Sequence, residues 1–63
     1  MTLLEQATAL FDVDITVDTA RKLLELEEQA NGNEAKKISE LFEAFAAAAS
    51  EEVYKEAFRK GYI

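Results

Sequence analysis

The sequence predicts a mainly α-helical fold, a small bundle of three to four short helices in a single domain spanning 1–63. A short strand at 12–17, pairing across a dimer, is the one expected exception. Three observations lead there. Apolar residues recur at a spacing of three and four in four separate stretches. Pro is absent and Gly occurs only twice, so breaks in regular structure are few. Only once does the period change, where Val13, Ile15 and Val17 alternate with Asp12, Asp14, Thr16 and Asp18.

Taken in order, Leu3, Leu4, Ala7, Leu10 and Phe11 lie on one face of a first helix, with Glu5, Gln6 and Thr8 opposite. The alternating run 12–17 reads as a half-buried strand or as an extended link between helices. Thr16 or Asp18 can then cap a second helix by accepting a bond from a free N–H of its first turn. Ala20, Leu23, Leu24 and Ala30 form the stripe of that helix, with Leu26 widening it. Asn31-Gly32-Asn33 ends it, Gly32 tolerating a left-handed backbone and Asn33 suiting the cap of the next helix.

The third helix carries Ala35, Ile38, Leu41, Phe42, Phe45, Ala46 and Ala49 at a 3.6-residue period. Its end, AFAAAAS, has side chains small enough for another backbone to approach closely. Ser50 is placed to cap a final helix, with Glu51 and Glu52 at its positive end and Arg59 and Lys60 at its negative end. Val53, Tyr54, Ala57 and Phe58 make its apolar face. Glu51 with Lys55, and Glu56 with Lys60, are spaced for ion pairs along it. Gly61 reads as the stop, after which Tyr62 and Ile63 fold back on the core. Phe42 and Phe45 are expected inside; Phe11, Tyr54, Phe58 and Tyr62 suit either the core or an interface.

Composition narrows the function. A chain of 63 residues buries only about 60% of the surface its unfolded form exposes. It has no Cys for a disulfide or thiolate metal site, and no His for zinc or general-base work. With 49% hydrophobic residues it is too apolar for a disordered polypeptide. Self-association, as a homodimer, is the expected supplement to so small a core. The net charge is −6, and it is uneven. Residues 1–31 set seven acids against Arg21 and Lys22 alone, whereas 32–63 set six acids against five bases. Such a surface repels nucleic acid and anionic membrane. No apolar run is long enough for a membrane span and no secretory signal opens the chain, so a cytoplasmic protein is expected.

Two acid-rich patterns invite chemistry. LFDVDITVDT resembles the first motif of the haloacid-dehalogenase phosphotransferases, which would make Asp12 a nucleophile and Asp14 an acid/base. That family's motif ends a strand of a doubly wound sheet for which this chain has no length, and Ile15 stands where Gly is usual. Asp12, Asp14 and Thr16 also match positions 1, 3 and 5 of a calcium loop, but Val17 and Leu23 replace the required Gly and Glu. Glu25 with Glu28, and Glu40 with Glu43, lie one turn apart without the His a di-iron site needs. Ser39 and Ser50 have no His to activate them. No catalytic residue, cofactor or metal site is expected.

The phrases DITVDTARKLLELEEQANG and ISELFEAF, within residues 12–46, resemble the strand, first helix, Gly-containing turn and second helix of the ribbon-helix-helix regulators. The resemblance implies a dimer whose paired strands read the DNA major groove and whose second helix holds a phosphate. Carried over, the groove-reading positions are Asp12, Asp14 and Thr16, and the phosphate position is Asn33 with Lys36 and Lys37. Carboxylates at the first two would be repelled by phosphate. Strand pairing through Val13, Ile15 and Val17 depends on backbone groups and would survive that departure.

The expected function is therefore a small acidic interaction module, homodimeric, binding the basic surface of another protein, for example as an inhibitor or anti-regulator. Its binding face would be Asp12, Asp14, Asp18, Glu25 and Glu28, where negative charge steers a basic partner. The alternatives are a DNA-binding regulator of the ribbon-helix-helix type and a stand-alone or designed bundle with no ligand.

Overall fold

A computed structural model describes all residues, Met1–Ile63. Four α-helices follow one another: α1 (Leu3–Ala9), α2 (Val17–Gln29), α3 (Gly32–Ala48) and α4 (Glu51–Arg59), with a 3-10 turn over Leu10–Asp12 closing α1. α2 is the centre of the bundle. α1 and α3 pack on it and on each other, while α4 packs chiefly on α2.

The core is made of few large side chains and many small ones. Phe45, Leu23 and Ile38 are fully buried, together with Ala7, Ala20 and Ala57, and Ala30 nearly so. Burying each large side chain contributes about 1.5–3 kcal/mol, and the alanines let helix axes approach closely enough to enclose them. Leu3, Leu4, Phe11, Leu26, Leu41 and Phe42 are among the half-buried residues that seal this cluster. The accessible surface is 4199 Å², against about 4000 Å² for a folded monomer of this mass. The radius of gyration, 10.8 Å, also matches the roughly 11 Å expected for this length. One chain thus encloses a core of its own.

Local chemistry sets the helix ends. Thr2 caps α1: its Oγ1 accepts from the Glu5 N–H at 3.0 Å, and the Glu5 carboxylate accepts from the Thr2 N–H at 2.9 Å. The Thr2 N–H and hydroxyl hold the Glu5 carboxyl below its usual range. Ser50 caps α4 through an Oγ bond from the Val53 N–H at 3.2 Å. Gly61, at φ +80, takes the left-handed conformation. Its N–H donates to the Phe58 carbonyl at 3.0 Å and the Tyr62 N–H donates to the Ala57 carbonyl at 2.9 Å, a Schellman closure. That closure turns Tyr62 and Ile63 back against the core, as the sequence predicts.

Three expectations need correction. No strand forms over 12–17. Val13 is 69% exposed, Ile15 is the residue that reaches the core, and Val17 already opens α2. A strand needs one buried face and a neighbour for its N–H and C=O groups. Here Thr16 takes up the cap position of α2 after a short extended link, and no second strand lies alongside. At the next junction Asn31, not Asn33, holds the cap position of α3, with Gly32 at φ +60 just inside the helix. Ala46, expected on the apolar stripe of α3, is exposed. Of the aromatics that suited either core or interface, Tyr54 and Phe58 lie outside, because α4 turns its Val53–Ala57 side towards α2.

Candidate interaction surface

The acids singled out in the sequence fall on consecutive elements. Asp12 ends the 3-10 turn, Asp14 sits in the extended link, and Asp18 stands in the first turn of α2. Glu25 lies on the same flank of the helix as Asp18, since residues seven apart return to nearly one side, and Glu28 follows one turn after Glu25. All five are exposed.

They are not equivalent. Arg21 donates from Nε to the Asp18 carboxylate at 2.7 Å and from a terminal nitrogen to Glu25 at 3.0 Å. Lys22 reaches Asp18 at 3.4 Å. The bond from Arg21 holds the Asp18 carboxyl below its ordinary value, and Asp18 in turn raises the Arg21 pKa. Two of the five acids are therefore answered within the chain, at spacings that stabilise the helix itself. Asp12, Asp14 and Glu28 form no ion pair. Between the first two, Val13 projects into solvent. An exposed apolar residue thus stands in sequence between two carboxylates that form no ion pair.

Asn33, Lys36 and Lys37 are exposed in the first two turns of α3, and neither lysine is paired. Glu34 shares their turn. Its carboxylate accepts from the Leu4 N–H of α1 at 3.0 Å, so α3 supplies a cap to the start of α1. Sequence spacing offers no signal for this contact, because the partners are 30 residues apart.

α4 presents the other notable surface. Phe58 is 66% exposed and Tyr54 40%, one helical turn apart. The ion pair of Lys55 with Glu51, at 2.8 Å, lies beside them, and Glu56 pairs with Arg59 and Lys60. Ala46, Ala47 and Ala48, at the end of α3, are also exposed.

Two open grooves of about 340 Å³ complete the surface. One lies between α2, α3 and the C-terminus, walled by Leu24, Glu27, Ser39, Phe42 and Tyr62. The other lies between α1 and α2, walled by Gln6, Ala9, Leu10, Glu25 and Leu26. No three carboxylates converge in a geometry that would hold a metal ion. No helix is long and apolar enough to cross a membrane. Comparison with family models, curated proteins and solved structures finds no match to this chain.

Proposed function

We propose that this chain is a small acidic helical interaction module, self-associating, which binds a basic surface of another protein. The observation that carries this reading is the Asp12–Val13–Asp14 segment, an exposed apolar residue between two exposed acids that form no ion pair. Arg and Lys present that chemistry in complement. Their aliphatic stems lie on an apolar surface while their charged heads meet carboxylates. Glu28 extends the negative flank along α2 and steers a basic partner towards it. A protein of this kind can act as an inhibitor or anti-regulator by covering the basic site of its partner.

The test is fluorescence anisotropy with a labelled peptide of alternating Arg and Val. Binding should weaken as salt rises, and the Asp12→Asn/Asp14→Asn double variant should lose roughly fivefold in affinity or more. Glu51→Gln/Glu52→Gln removes the same charge from α4 and should leave the affinity nearly unchanged. Equal losses from the two pairs would reduce the effect to bulk charge and overturn the reading. A ribbon-helix-helix-type regulator would instead hold labelled duplex DNA and release it on Lys36→Ala/Lys37→Ala substitution.

A further inference from the structure

The groove between α2, α3 and the C-terminus leaves polar groups unanswered beside an apolar lining. Leu24 and Glu27 come from α2, and Ser39 and Phe42 from α3, each pair one helical turn apart. Each helix thus offers one apolar and one polar residue. The Schellman turn at Gly61 brings Tyr62 and Ile63 over as the third wall. Leu24, Phe42, Tyr62 and Ile63 are all half-buried. Glu27 is half-buried too; it is the one charged residue of the lining and forms no ion pair. The hydroxyls of Thr2, Thr8, Thr19 and Ser50 are bonded within the chain, whereas those of Ser39 and Tyr62 make no hydrogen bond. Arg21, which feels Tyr62 from the preceding turn of α2, is already held by Asp18 and Glu25. The groove between α1 and α2 is different, because its charged walls, Lys22 and Glu25, are paired with Asp18 and Arg21.

We infer that this groove binds a small primary amine carrying an aromatic ring. The ammonium meets the Glu27 carboxylate and donates to the Ser39 hydroxyl, while the ring lies on Leu24, Phe42 and Ile63. An ammonium has three protons to donate and no acceptor, which suits a wall of carboxylate and hydroxyl oxygens. The rings of Phe42 and Tyr62 add attraction for a cation. An anion of the same shape is repelled by Glu27. A neutral ligand covers Glu27 and supplies no charge in place of the water it displaces. At about 340 Å³ the groove is at the small end of the roughly 300–1,000 Å³ of small-molecule sites. A ligand of about ten non-hydrogen atoms fits that scale, with a dissociation constant on the order of 1 mM. The inference is independent of the acidic segment at residues 12–14 and of any second copy.

Titration of the isotope-labelled chain with phenethylammonium chloride, followed by amide chemical shifts to about 20 mM, tests it well past that constant. Saturable shifts should fall on Leu24, Glu27, Ser39, Phe42, Tyr62 and Ile63. Phenethyl alcohol and phenylacetate, which keep the ring and lose the cation, should bind about fivefold more weakly or worse. Glu27→Gln should weaken the amine about fivefold with an unchanged circular dichroism melt. Glu52→Gln removes the same charge from an exposed position on α4 and should leave the affinity as it was. Shifts that never saturate, or that fall on the groove between α1 and α2, overturn the site. Equal binding of the alcohol, or equal losses from Glu27→Gln and Glu52→Gln, overturn the role of Glu27 and with it the choice of an amine.

Discussion

α2 and α4 are both amphipathic helices with caps and ion pairs at ordinary spacing, yet the bundle treats them differently. α2 is covered on several sides, by α1, α3 and α4, and what remains outside is the polar flank of Asp18, Arg21, Glu25 and Glu28. α4 is covered on one side only. It buries Ala57, half-buries Val53 and leaves two aromatic rings in solvent. An apolar residue is therefore a core residue only if some other element lies over it. The central helix has neighbours enough to cover a broad stripe; the peripheral one does not. That difference separates the residues that hold the fold from those free to meet a partner.

The sharpest way to break this comparison is to truncate one ring in each region. Phe45→Ala should cost about 3–5 kcal/mol, a large part of the roughly 3–9 kcal/mol available to a chain of this length. Phe58→Ala should change stability by no more than about 0.5 kcal/mol. Urea melts followed by circular dichroism give both values, and comparable losses would erase the distinction between covered and uncovered helix.

The next effect concerns how α4 ends. Gly61→Ala forces a side chain into the left-handed region and should cost about 1–2 kcal/mol. The loss should appear as a lower denaturation midpoint with faster amide exchange at Tyr62, whose N–H closes the turn. Had the stop been set only by the end of the apolar pattern, Ala would be tolerated there.

A smaller effect tests the opposite side of the bundle. Glu34→Ala removes the carboxylate that accepts from the Leu4 N–H and should cost about 1 kcal/mol. Amide exchange should rise in the first turn of α1 and not in α4. An increase spread evenly over all four helices would show that Glu34 is not acting as a local cap.

The smallest effect is with pH. Glu5 and Asp18 both have folded-state pKa values below their ordinary 4.5 and 3.8. Their contribution to stability is complete above those ordinary values and is lost as pH falls through the lowered ones. Thermal melts should be level from pH 7 to 5 and decline below about pH 4. Asp18→Asn should flatten part of that decline. A decline beginning near neutrality would point to other groups.

Much of the fold was legible in the sequence because its causes are local. The Ser50 cap, the Glu51–Lys55 pair and the Gly61 stop each involve residues within a few positions of one another, so spacing alone locates them. The 12–17 segment was harder. Val13, Ile15 and Val17 alternate as in a strand, but alternation states only that successive side chains point oppositely. Whether a neighbouring strand exists to pair with them is a question about the rest of the molecule. Within the candidate site, the positions of the five acids were readable. The division into Asp18 and Glu25, answered by Arg21, and Asp12 and Asp14, left free around an exposed valine, emerged only with side chains in place.

By itself the sequence determined that the chain is helical and where most of its helices begin and stop, since these follow from hydrogen bonds and rotamers within a turn or two. Only the tertiary structure decided which apolar stripe is covered, that Thr19 is buried with its Oγ1 on the Thr16 N–H, and that Glu34 caps a helix 30 residues away. Those outcomes depend on how whole helices stack. Side-chain periodicity says which way a residue points along its own helix and carries no information about what will be standing opposite.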